Sequence, residues 1–171
     1  EGQAICSELI PDRYEIAPNI FITVLGPSKN NITDLEKYWE KDMVSRNYMF
    51  RVSNKIKLTE AFEYQMERIT SKYKNESFNI SENECLEKYV GKLTEIDESI
   101  VNRSSISFIL EYDDKKCLFL GDTVIDETIL KNIENMVGFE YRFSAIKLPH
   151  HGSRYNITHD FISRYNADEY Y

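Results

Sequence analysis

Two stretches of the 171-residue chain hold residue types that could do chemistry together. The first is AIKLPHHGS, Ala145 to Ser153, an apolar run that stops at Pro149 and releases two of the chain's three histidines, His150 and His151, before Gly152 and Ser153. The second is LFLGD, Leu118 to Asp122, a hydrophobic run that ends in Gly121 and Asp122. Both read as strands meeting a turn. In α/β sheets the carboxyl ends of strands are where ligands bind, because side chains there project from a rigid support into a crevice. A carboxylate and imidazoles converging at two such ends suit a divalent metal. Asp122 can bridge two ions, a neutral imidazole supplies nitrogen, and the metal makes hydroxide available near neutral pH. Gly121 and Gly152 bring no Cβ, so the backbone there can approach closely and turn sharply. Alone, each element says less: an isolated His-His pair is more often a turn, and Gly-Asp after a strand more often caps the next element. Their order and spacing together make the case.

The elements that must position these residues can be read from periodicity. NIFITVLGP, Asn19 to Pro27, is a β-branched and apolar run closed by Gly-Pro, which predicts a buried strand entering a turn. Thr33 followed by Glu36 forms a capping box before LEKYWEKDMV, whose Leu35, Tyr38, Trp39 and Met43 share one helical face. A second helix is predicted over 59–73, with Phe62, Met66, Ile69 and Tyr73 in line. A third, capped by Ser81 with Glu84, aligns Leu86, Tyr89, Val90 and Leu93. Residues 31–101 thus form a charged helical block, either an insertion packed on a sheet or a lid or partner-binding cap over the strand ends. The residues leave both open.

After the block the period becomes two. SSISFILEYDDKKCLFLGD predicts a hairpin, with Ile106, Phe108 and Leu110 alternating with Ser107, Ile109 and Glu111, and the Asp113–Lys116 stretch turning the chain. A helix comes after it with Ile129, Ile133, Met136 and Val137 on one face and Gly138 as its C-cap. The strand FSAIKLP comes next. A final helix capped by Thr158 turns Phe161, Ile162 and Tyr165 inward. Strand, hairpin, helix, strand, helix is an α/β pattern.

Composition bounds the rest. The chain is 42% hydrophobic, enough for one domain with a core, and its net charge is −8 with no run of five Lys or Arg, which argues against strong nucleic-acid binding. Cys6, Cys85 and Cys117 are widely spaced and odd in number, which fits a reducing, cytoplasmic setting better than a disulfide framework; Cys117, in an apolar run, is expected in the core. No stretch is long and apolar enough for a membrane span. The start has no signal-peptide pattern and no initiator Met, as expected of a processed or truncated piece. Asn-x-Ser/Thr triplets at Asn31, Asn75, Asn79, Asn102 and Asn156 read as coincidence in a chain rich in these residues.

The succession NRSSISFILEYDDKKCLFLGDT, a helix containing ETIL, then AIKLPHHGSRYNITHDFI resembles the second half of metallo-β-lactamase-fold hydrolases. The branch it looks most like includes the hydrolase domain of bacterial DNA-uptake channel proteins and related phosphodiesterases. The likeness covers residues 102–168, and FITVLGP resembles the strand that precedes them in that branch. It implies a partial αββα sandwich with a helical insertion over 31–101, holding one or two zinc or manganese ions in the intact protein. By position, Asp122 matches the bridging carboxylate, and His150 and His151 match the histidine motif, with His150 favoured as ligand because it directly follows the strand. Asn102 and Ser153 match polar positions at the rim, Asn102 near where many relatives carry another metal-binding histidine. His159, in THD, reads as decoration of a helix start.

The family's HxHxDH loop is absent, and its last strand, after the final helix, is expected to be missing too. The chain thus reads as a middle-to-end segment carrying about half the ligands, inactive by itself. In the intact parent, metal-bound hydroxide would attack an ester-type bond, a phosphodiester foremost, with Arg154 or Lys147 offsetting phosphate charge. A lactone, thioester or lactam stays open as substrate. The alternative is a catalytically inactive scaffold of the same fold, with the helical block binding a protein partner.

Overall fold

The computed structural model describes residues 6–8, 13–45 and 96–171. The chain divides into two compact units, Glu1–Tyr38 with Leu93–Tyr171, and Trp39–Lys92. The helices expected over 59–73 and after Ser81, and Cys85, lie outside the described residues.

Six strands form one sheet whose spatial order follows the chain: β1 (Tyr14–Ala17), β2 (Ile20–Gly26), β3 (Ser107–Tyr112), β4 (Lys115–Phe119), β5 (Tyr141–Lys147) and β6 (Tyr165–Tyr170). The first four pair antiparallel, whereas β4–β5 and β5–β6 are parallel. A tight hairpin suffices between β3 and β4, where Asp113 takes a left-handed φ of 51°. The parallel pairs need crossovers. Helices fill those connections: α3 (Glu127–Val137) and α4 (His159–Arg164), following α1 (Lys29–Ser45) and the short α2 (Ile100–Arg103). Asp126 caps α3 by accepting from the Ile129 N–H at 2.9 Å, and Gly138 closes it at φ 89°. Thr158 caps α4 through the Phe161 N–H.

One face of the sheet carries the core. Leu25, Ile109, Leu118, Phe143 and Ile146 pack there with Ile129 and Ile133 of α3 and Phe161 of α4, all within one buried cluster. The opposite face is also apolar. Registered rows place Ile22, Leu110 and Cys117 side by side, and likewise Val24, Phe108 and Phe119, the last two rings stacked at 4.9 Å. Every one of these six residues is only half-buried.

The fold corrects four expectations. The final helix does not swallow Tyr165: α4 ends at Arg164, Ile162 is 63% exposed, and Tyr165 opens β6. The last strand is therefore present. Its sequence, YNADEY, has little β-propensity, and pairing with β5 decides its state. Cys117 sits half-buried on the open face, not in the core. The first helix begins a turn earlier than its Thr33 capping box implies. Ser28 caps it, accepting the Asn31 N–H while donating its hydroxyl to Asn31 Oδ1 at 2.9 Å, and Thr33 inside the helix donates back to the Lys29 carbonyl. In the hairpin, Ser107, Ile109 and Glu111 face the core and the other three do not. Among the described residues no helix is long and apolar enough to cross a membrane.

Candidate functional site

The parallel pairing of β4 and β5 brings the two motifs together. Past the Phe119–Lys147 pair, the strands run out into Gly121-Asp122 and Pro149-His150, and the His150 N–H donates to the Gly121 carbonyl at 3.0 Å. Gly121 has φ 55°, and a Cβ there would sit 2.8 Å from the Ile106 carbonyl oxygen, so only glycine fits. After Pro149 the chain makes a left-handed turn through three successive residues: His150 (φ 43°, ψ 50°), His151 (φ 55°, ψ 31°) and Gly152 (φ 81°). The Ser153 N–H closes it onto the His150 carbonyl at 3.1 Å. A left-handed residue other than glycine costs about 1–2 kcal/mol, and such strain concentrates at functional sites.

A polar cluster forms around His150. Asp97 lies just before α2, fixed by its own N–H to the Tyr155 carbonyl (3.0 Å) and by the Ser99 N–H onto Oδ1 (2.8 Å). Its Oδ2 accepts from Asn102 Nδ2 at 2.6 Å and Asn156 Nδ2 at 3.0 Å, and lies 3.6 Å from His150 Nδ1. Burial by itself would raise the Asp97 pKa. The hydrogen bonds from Asn102, Ser99 and Asn156, with the charge of His150, outweigh that and hold the carboxyl below its ordinary value. Asn156 is 1% exposed and stitches the loops together: its Nδ2 also reaches the carbonyls of Asp122 (3.2 Å) and Thr123 (3.4 Å), and its Oδ1 lies 3.3 Å from His150 Nδ1. These side chains line a cleft of about 370 Å³, with Ile96, Ser153 and Tyr155 completing its wall.

The sequence-predicted residues divide accordingly. His150, Asn102 and Ser153 share the cleft. Asp122 is tied to it through its backbone carbonyl, and its half-buried carboxylate has no partner among the described residues. His151 is exposed, its ring centroid 6.3 Å from that of His150, and does not line the cleft. Nor does Arg154, whose guanidinium donates to Tyr155 Oη at 2.7 Å. Lys147 donates to the Leu148 carbonyl at 3.2 Å. His159 is the exposed first residue of α4. Asp97 and Asn156 were not anticipated. Asp97-Glu98-Ser99 carries the signal of a carboxylate bonding the N–H two residues on, and Asn156 belonged to a triplet read as coincidence, which its burial supports.

As a metal site these residues are short. Among the described residues, no three His, Cys, Asp or Glu side chains are grouped as an ion would require. Asp122 and His150 are two donors, and a tight catalytic site takes at least three protein ligands. Compared with sequence models of known families, with curated proteins and with solved structures, the chain matches none.

Proposed function

We propose that this chain is a fragment of a metal-dependent hydrolase of the metallo-β-lactamase type, acting on an ester-type bond, a phosphodiester foremost. The observation that carries the reading is the hydrogen bond from the His150 N–H to the Gly121 carbonyl, which joins the Gly-Asp and His-His motifs at neighbouring parallel strand ends. The sheet agrees with it. Helices cover one face, and the apolar opposite face has the character of a surface that meets a second sheet.

In this reading Asp122 and His150 are the chain's donors to zinc or manganese, and the remaining ligands would come from outside these 171 residues. Such an ion supplies Lewis-acid activation of water and of the ester. The chain's own residues do simpler things. The left-handed turn aims His150, Asp97 and Asn156 hold its ring, and Asn102 and Ser153 line the space beside it. In this reading His151, exposed on the same turn, stands near substrate rather than on the metal. The second reading, a non-catalytic scaffold of the same fold, is favoured by the count of two donors.

The test is the zinc and manganese content of the full-length protein, compared with its Asp122→Ala, His150→Ala and His151→Ala variants. Stoichiometric metal lost in the first two and kept in the third supports the hydrolase. A folded full-length protein without metal, unchanged by all three, supports the scaffold.

A further inference from the structure

We infer that Asp97 and Asn156 are positioning residues that hold His150 in its Nδ1–H tautomer and leave the lone pair on Nε2. The use of that lone pair as a metal ligand rests on the hydrolase reading, whereas the tautomer does not.

The inference follows from which groups crowd Nδ1. The Asn156 amide has a forced orientation, because its Nδ2 faces three oxygens: Asp97 Oδ2 at 3.0 Å and the carbonyls of Asp122 and Thr123 at 3.2 and 3.4 Å. Turning the amide over would set its oxygen against three acceptors. Asn156 Oδ1 is therefore the atom that stands 3.3 Å from His150 Nδ1, and an amide oxygen only accepts. Asp97 Oδ2, 3.6 Å away, is a second acceptor and carries charge. Asn102 Nδ2 stands on the other side of the balance, as a donor 3.5 Å from the same nitrogen, but its short bond, 2.6 Å, goes to Asp97. The nearest of the three is the Asn156 acceptor at 3.3 Å, and the Asp97 carboxylate adds the attraction of a charge from just beyond bonding distance; together they prevail over a donor at 3.5 Å whose short bond is to Asp97. Nε2 has no partner among the described residues. A carboxylate behind an imidazole in this way fixes both tautomer and ring orientation.

The arrangement is rigid for reasons independent of His150. Asp97 is pinned by the Ser99 N–H and by its own N–H, and Asn156 is buried with its carbonyl accepting from the Ile125 N–H at 3.0 Å. The imidazole meets a preformed acceptor pair.

The experiment is a long-range proton–nitrogen correlation spectrum of the chain with nitrogen-15 histidine, in buffer alkaline enough to keep imidazoles neutral. His150 is expected to show a single Nδ1–H pattern, while exposed His151 and His159 show the averaged pattern of free histidine. In Asp97→Asn, which keeps the shape and removes the charge, the ratio of Nδ1–H to Nε2–H at His150 should fall by about fivefold, as expected when the attraction of a carboxylate 3.6 Å from Nδ1 is lost. An Nε2–H pattern at His150 in the unmodified chain overturns the inference without any variant. So does a ratio unchanged in a folded Asp97→Asn protein. Zinc titration of the full-length protein separates this from the hydrolase reading. Nδ1–H at His150 with no zinc bound leaves the positioning standing and removes the hydrolase. Zinc lost on His150→Ala, together with Nε2–H at His150, does the reverse.

Discussion

Asn156 is the residue whose loss the structure makes most costly for its size. Its side chain is 1% exposed, and Asn156→Ala removes one donor from the carbonyls of Asp122 and Thr123 and from Asp97 Oδ2, and one acceptor from His150 Nδ1. Stranding a buried polar group costs about 1–3 kcal/mol. Thr123 is fully buried and Asp122 only half, so water can rescue part of the loss, and a total of about 3–4 kcal/mol is expected. That is a large share of the roughly 5–15 kcal/mol that holds a domain together. Urea unfolding of the chain, with the slope common to both proteins, reads it directly. Asn156→Asp sharpens the test, since it replaces the Nδ2 donor with a carboxylate oxygen about 3.0 Å from Asp97 Oδ2. Two carboxylates that close share a proton, so the folded pair has a pKa raised above its unfolded value. A group raised in the folded state stabilises below its unfolded pKa and loses that contribution as pH rises through the folded one. The Asp variant should therefore be less stable than the Ala variant near neutrality and close much of the gap in mild acid. An Ala variant within about 1 kcal/mol of the parent, or an Asp variant whose deficit ignores pH, would show that Asn156 is not the stitch described.

Asp97 makes the complementary prediction. Its pKa is lowered in the folded chain, so its contribution is present above the ordinary carboxylate value, 3.8, and is lost as pH falls through the depressed one. The acid limb of the stability curve should flatten in Asp97→Asn; a curve of unchanged shape would remove Asp97 from the titration. Two glycines in left-handed conformations should respond unequally to alanine. Gly121→Ala meets the Ile106 carbonyl at 2.8 Å on top of its φ of 55°, whereas Gly152→Ala at φ 81° has nothing nearer than Leu148 Cδ1 at 3.8 Å. The first should cost about 2–3 kcal/mol and the second about 1, and equal melting shifts would contradict the close approach at Gly121.

How much of this was legible depended on how local the signal was. Strand β2, the β3–β4 hairpin and α3 could be read from short windows, because apolar periodicity and turn or capping residues act within a few positions. Strand β6 could not, since YNADEY becomes a strand only through the register of β5 beside it. Tyr165 was assigned to the wrong element for the same reason: a buried aromatic looks alike at the end of a helix and at the start of a strand. At the site, the motif residues were visible as types at strand ends, but the groups that make His150 a defined chemical species were not. Asp97 and Asn156 are 59 positions apart, and nothing in either neighbourhood announces that the other exists.

The two shortages of the described unit are one shortage seen twice. A sheet whose second apolar face is only half-buried has room for a layer against it, and the pair of donors found among the described residues at the ends of β4 and β5 is one short of a tight catalytic site. Those strand ends stand at the margin of the same face that carries Phe108 and Phe119. A second sheet packed there at about 10 Å would bring its own loops to that margin. On the hydrolase reading, a single covering layer therefore buries the open face and completes the ligand set. On the scaffold reading it buries the face and leaves Asp122 without a partner. Two non-glycine residues held in left-handed conformations, at about 1–2 kcal/mol each, are a cost that a site accounts for and a bare scaffold does not, and that strain is the physical reason we propose the hydrolase.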